Sequence, residues 1–165
     1  MKIVLDANAL IYMSKTNLLE FFRKLIMHEI NIDTSVYSEV VEKGMDLGYD
    51  DAKNVKTFLE NNKIPIIPIN IETKLHVMKD PGETSCLLLT SEEDLCISSD
   101  IRAYKKFKKN RKNVLYLDSF FLKKAIDKKL TRNQLEEILE KLMTVYATTT
   151  ERMLQIMKKY DRMKN

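Results

Sequence analysis

The chain is poor in the residues that make hinges, bridges and soft metal sites. Among 165 residues there are three glycines, three prolines, two cysteines and two histidines. So few Gly and Pro leave little room for long flexible linkers, and no internal boundary is expected before about residue 130. Cys86 and Cys96 each sit inside an apolar stretch, and neither they nor His28 and His76 make a close-spaced zinc motif. Buried, reduced thiols are the better reading. Also missing is a run of about 18 uninterrupted apolar residues, which a membrane span requires. The apolar opening "MKIVLDANALIYM" is short, has no extended basic segment and contains Asp6, so no targeting segment is expected. These absences point to the cytoplasm, with no membrane partner.

What is present describes a folded domain. Hydrophobic residues make up 44% and charged residues 32%, which excludes a disordered chain. The length favours one domain with enough bulk for a core. Net charge is only +4, but the cations bunch in "YKKFKKNRK" from Tyr104 to Lys112, followed by Lys123, Lys124, Lys128 and Lys129. A solvated helix face is the ordinary explanation for such a run. Beside a site that acts on a phosphate backbone it acquires a second meaning.

Strand and helix patterns alternate along the chain. "KIVLDA" reads as a strand, and Ala9 to Met27 carries helical spacing broken near Thr16-Asn17. "INIDTS" is a second strand, "SVYSEVVEKGMDLG" a helix ending at Gly44 to Gly48, and Asp50 to Asn62 a further helix. "IPIIPIN" is strand-like, but Pro65 and Pro68 cannot donate to a ladder, so it belongs at a sheet edge. "DPGETSCLLLTSEE" then starts a helix, "DLCISSD" gives a strand, "IRAYKKFKKNRK" a helix, "NVLYLDS" a last strand and "FFLKKAIDKK" a short helix. This order predicts an α/β fold with a mostly parallel sheet covered by helices on both faces.

Beyond Thr131 the pattern changes. Leu135, Leu139, Leu142, Tyr146, Thr149, Met153, Ile156 and Tyr160 alternate four and three residues apart, as on a helix seam. Thr131 with Gln134, and Thr148 with Glu151, make two capping boxes, so "ATTT" is expected to split the tail into two helices. The expected division is a domain over residues 1–130 and a helical extension over 131–165. That extension would pack on its own domain, on a second copy or on another protein.

Four acids draw attention: Asp6, Glu39, Glu83 and Asp100. Each has a bland explanation. Asp6 can accept backbone bonds at a strand end, Glu39 can be an exposed helix residue, and Asp100 can cap the helix that begins at Ile101. Asp80-Pro81-Gly82-Glu83 is a complete helix-start signal, with a cap residue, Pro at N1 and Glu at N3. Considered together they say more. In a parallel sheet, ligands bind beyond the carboxyl ends of the strands, where Asp6 and Asp100 are expected, and the helices of Glu39 and Glu83 begin at the same edge. Carboxylates gathered there would repel one another unless a cation compensated, and hard oxygen ligands suit Mg²⁺ or Mn²⁺. With no Ser-His-Asp set and no reactive Cys, metal-assisted hydrolysis is the natural chemistry.

"VLDANALI", "SVYSEVV", "DPGETSCLLL" and "CISSDIRAYKK" resemble, in order, the four motif blocks of the PIN-domain nucleases, over about residues 1 to 122. The resemblance implies a three-layer α/β/α sandwich and a metal-dependent endonuclease, usually acting on RNA. On that pattern Asp6, Glu39, Glu83 and Asp100 are the four acids, Ser98 is the small hydroxyl residue two places before the last, and Asn8 is an accessory group. Glu42, one helical turn beyond Glu39, is an alternative second acid. The expected reaction is hydrolysis of an RNA phosphodiester to a 5′-phosphate and a 3′-hydroxyl, with Mg²⁺ or Mn²⁺. Arg102, Lys105, Lys106, Lys108 and Lys109 would hold the RNA backbone. Members similar in this way include toxins of toxin–antitoxin pairs and RNA-processing enzymes. A non-catalytic RNA-binding or scaffold protein that kept the fold is the rival expectation.

Overall fold

Five short parallel strands, none longer than four residues, carry the fold in a computed structural model that describes residues 1–70 and 81–164. In chain order the elements are β1 (Ile3–Leu5), α1 (Ala7–Lys15), α2 (Leu19–Lys24), β2 (Ile30–Asp33), α3 (Thr34–Tyr37), a π-helical turn (Ser38–Glu42), α4 (Lys43–Asp46) and α5 (Asp50–Asn61). Then follow β3 (Ile66–Ile67), α6 (Pro81–Leu89), β4 (Leu95–Ser98), α7 (Ile101–Lys109), β5 (Asn113–Tyr116), α8 (Leu117–Ile126), α9 (Arg132–Thr144) and α10 (Thr150–Lys164). His76 and the Asp80 cap lie outside the described residues.

The strand order is β3-β2-β1-β4-β5. The chain therefore builds outward from β1 to β3, then crosses to the other side of β1 and builds outward again. β1 and β2 are buried along their whole length, as strands covered on both faces are, and β2 buries Asn31 and Asp33 with its isoleucines. The strand bearing Pro65 and Pro68 is at the edge, as expected, with a carbonyl of Pro65 accepting from Ile32 N at 3.4 Å. Right-handed crossovers put α1, α2 and α5 on one face and α6 and α7 on the other. α8 joins the first face, where Phe120 meets Phe22 of α2 at 4.8 Å between ring centroids. The result is the α/β/α sandwich.

Local signals explain most boundaries. The break between α1 and α2 falls at Thr16 and Asn17, where Asn17 adopts φ 55°. Gly44 lets α4 approach α5 closely: a Cβ there would stand 2.7 Å from that of Ala52. Cys86 and Cys96 are buried free thiols. One boundary differs from expectation, because α8 starts at Leu117 with no loop after β5, three residues before Phe120.

The extension packs on α8 and shares the single core. Leu135, Leu139 and Leu142 of α9, with Met153, Ile156 and Tyr160 of α10, are all buried. Thr131 and Gln134 form their reciprocal capping box. The tail does split at "ATTT", but Thr149 rather than Thr148 caps the second helix, accepting from Arg152 N at 3.2 Å. The Thr148 hydroxyl is drawn inward to donate to the buried Asp118 carboxylate at 3.0 Å. Tyr146, expected on the seam, lies in the connection at φ 59° and is 91% exposed.

Candidate active site

The strand order reverses between β1 and β4, and both strands end there on an aspartate. Asp6 follows β1 and Asp100 lies two residues beyond β4. Each caps the helix that begins after it. Asp6 accepts from Ala9 N at 2.7 Å, and Asp100 accepts from Ala103 N at 2.7 Å. Ser98, fully buried at the end of β4, joins the two: its hydroxyl bonds to the Asp6 carboxylate and accepts from Asp100 N at 3.1 Å. Capping a helix is therefore compatible with a second role at a ligand site for both aspartates. The caps fix the carboxylates in place, at a crevice where α/β sheets bind ligands.

Glu39 and Glu83 reach the same crevice from the neighbouring helices. A cavity of about 220 Å³ is lined by all four acids, together with Asn8 and Cys86. Glu39 sits in the π-helical turn, a distortion that recurs at functional sites because it redirects side chains from the regular helix. Glu42 does not line the cavity and points to solvent. Glu83, at N3 of α6, pairs with Lys106 of α7 at 3.0 Å. Ser99 Oγ is buried without a hydrogen-bond partner among the described residues, beside Asp100.

The acids influence one another electrostatically. Burial, reinforced by the nearby charges of Asp100 and Glu39, pushes the Asp6 carboxyl up to about 7 against the opposing bonds from Ser98 and Ala9. The four are not drawn into a closed ligand set. Among the described residues, no three His, Cys, Asp or Glu groups are placed to hold one ion. Two of the acids hold helix caps and a third holds Lys106. The donor set nonetheless fits a hard divalent cation, since it offers carboxylate oxygens alone and its mutual repulsion is what such a cation relieves.

A further acid escaped the sequence reading. Asp33 ends β2 as Asp6 ends β1, is wholly buried, and caps α3 by accepting from Ser35 N at 2.7 Å and Val36 N at 3.1 Å. The buried Cys86 thiol donates to its other oxygen at 3.3 Å. A strand closing on aspartate just before a helix was the signal available, and "INIDTS" carries it as plainly as "KIVLDA". Asp33 does not line the cavity itself, but Cys86, to which it is hydrogen-bonded, does.

The expected RNA-binding cations do not all face one way. On α7, Ala103 and Phe107 turn inward, while Arg102, Lys105, Lys108 and Lys109 are exposed and Lys106 is half-buried beside Glu83. Lys108 borders a separate cleft with Leu95 and Asn113, at the start of β4 and β5 and so at the far end of the strands from the acids.

A sequence profile of a family described as a PIN domain matches residues 2–159. The chain belongs to the PIN-domain family. The match runs through α9 and most of α10, so most of the extension lies within it. Members of the family are generally nucleases and generally use divalent metal ions. No curated protein sequence matches this PIN domain. Among solved structures, one match is a domain of a functionally unknown protein from Methanocaldococcus jannaschii, at 16% identity and a TM-score of 0.49, covering 70% of this chain and 90% of that one. No helix among the described residues is long and apolar enough to cross a membrane.

Proposed function

We infer that this PIN domain is an endoribonuclease dependent on Mg²⁺ or Mn²⁺, cutting RNA to leave a 5′-phosphate and a 3′-hydroxyl. The observation that carries the reading is the convergence of Asp6, Glu39, Glu83 and Asp100 on one cavity at the point where strand order reverses. Those four residues would hold the cation. When bound, it supplies a water nucleophile at neutral pH and offsets charge on the phosphate. The chain's own groups do the rest. Ser98 and the two helix caps orient Asp6 and Asp100, so the donors need little rearrangement. Lys106, once released from Glu83, would donate to a substrate phosphate. Arg102 and Lys105 extend that positive edge along α7, with Lys109 one turn further.

The rival, a non-catalytic RNA-binding protein, has one observation in its favour: Glu83 is already neutralised by Lys106. The two readings separate on an end-labelled single-stranded RNA. The nuclease reading expects cleavage with Mg²⁺ or Mn²⁺, none after exhaustive chelation, and recovery when the ion is restored. Zinc should be dispensable, because the site has no soft ligand set. Cleavage that survives chelation, or binding without any cleavage, overturns it.

A further inference from the structure

One helical turn past Asp100, Tyr104 of α7 lies flat against Tyr116, the last residue of β5. Their ring centroids are 4.3 Å apart and the planes are 11° from parallel. Tyr116 pairs in register with Ser98, the residue that joins Asp6 to Asp100, so the stack adjoins the acidic cavity. One turn of helix places Tyr104 only about 6 Å along the axis from Asp100. Both tyrosines are half-buried, and both present a phenol, which suits a ring with one wet edge.

The pair is held between two cations of different character. The Arg152 guanidinium of α10 lies 4.5 Å from the Tyr116 centroid. It is fixed there by the buried Asp118, whose Oδ1 accepts from Nη2 at 2.8 Å and whose Oδ2 accepts from Nε, and by Ser119 Oγ at 3.1 Å. On Tyr104 the cation is Lys108, 5.7 Å from the centroid and carried on an exposed stem. Arg152 is a fixed support, whereas Lys108 is easily displaced. An aromatic surface braced from behind and partly exposed, next to the acidic cavity, has the elements of a base-stacking platform.

We propose that the Tyr104–Tyr116 stack is a base-binding subsite, taking a nucleobase of single-stranded RNA next to the phosphate held in the acidic cavity. This rests on the nuclease reading of that cavity. The incoming base stacks on Tyr104 as Lys108 swings away from the ring, and Arg152 keeps Tyr116 from shifting. Stacking on a ring face tolerates any base, so the subsite supplies affinity and register with little sequence preference. It also gives the extension a part in the active site, through the one side chain that braces the stack.

The test measures binding and cleavage of a labelled single-stranded oligoribonucleotide by the full chain carrying Tyr104→Leu or Tyr104→Phe. Ca²⁺ replaces Mg²⁺ for the binding arm. Leucine keeps apolar bulk but has no ring, so affinity should fall roughly 5- to 150-fold. KM should rise in step while kcat at saturating RNA changes little, and phenylalanine should restore both. Melting temperatures identify any variant that fails through unfolding, and Tyr104→Phe carries the comparison in that event. Wild-type affinity and KM in Tyr104→Leu, with cleavage intact, overturn the subsite alone. Ring-dependent binding without cleavage by the wild type in Mg²⁺ or Mn²⁺ overturns the nuclease reading and leaves the subsite. Absence of binding by the wild type overturns both.

Discussion

At the scale of single residues, Asp6 serves two needs that pull in opposite directions. As a cap it is stabilising, because it satisfies a backbone N–H at the start of α1. As a charge it is destabilising, since it ionises in a buried place beside Asp100 and Glu39. The metal-free folded protein keeps the Asp6 proton to about pH 7, whereas a free carboxyl loses it near 3.8. Between those values the folded state binds more protons than the unfolded one, so stability should fall as pH rises through that window. Asp6→Asn keeps a capping side chain and removes the titration. Unfolding free energies of the two metal-free proteins should therefore separate progressively from about pH 4 to pH 7, with the variant the more stable at the upper end. Parallel curves in urea denaturation would contradict the cause given for the shift. The second acid can be assigned in the same way. Glu39→Gln should lower kcat/KM by orders of magnitude and Glu42→Gln should leave it near wild type, because only Glu39 lines the cavity. The reverse pattern would return the role to Glu42.

At the scale of elements, the extension is tied to the domain by Asp118 and Arg152, one at the start of α8 and the other in the first turn of α10. Asp118 is 2% exposed, so removing Arg152 takes away its paired charge and leaves the buried carboxylate to the hydroxyls of Thr148 and Ser119. Arg152→Met should cost roughly 3 kcal/mol in urea unfolding. With Asp118→Asn added, the total should be well below the sum of the single losses. Strict additivity would show the pair to be incidental. How far such features can be seen in a sequence depends on the range of the forces behind them. The parallel sheet, the edge position of the strand with Pro65 and Pro68, and the break at Thr16-Asn17 follow from local rules and were legible. So were the four acids of the cavity, because three of them stand at a strand end or helix start and Glu39 lies on the helix that follows β2. The Asp118–Arg152 tie, the Lys106–Glu83 pair and the Tyr104–Tyr116 stack were not, since each joins elements whose separation only the folded chain closes. Thr148 shows the same competition on one residue, where a buried carboxylate outweighed the local capping signal. The π-helical turn at Ser38–Glu42 had no sequence mark, because it uses the same residues as an ordinary helix. Asp33 had a mark that went unread.

At the scale of the whole molecule, the acids of the cavity and the cations of α7 form separate groups. The acids gather at the carboxyl ends of the central strands, and a row of cations runs along α7 beside them. Such a division suits a polyanion whose backbone lies along the row while one phosphate enters the cavity. Charge reversal at Lys105 and Lys109 should weaken RNA binding and reduce its salt dependence, the slope of log K against log salt falling by about 0.7 for each lost phosphate contact. Reversal at Lys108 should act through the tyrosine stack or not at all, because that residue borders the far cleft. An unchanged slope after reversal at Lys105 and Lys109 would leave the row as a solvated helix face. The central claim, that the two strand-end aspartates are joint parts of one metal-dependent site for RNA, is tested most directly at Asp100. The measurement is cleavage of an end-labelled single-stranded RNA across a Mn²⁺ titration, by the wild type and by Asp100→Asn. Asparagine preserves the cap on α7, so the variant should melt like the wild type when metal-free. It should nevertheless cleave orders of magnitude more slowly at every Mn²⁺ concentration. A variant that cleaves at the wild-type rate would contradict the account and reduce Asp100 to a helix cap.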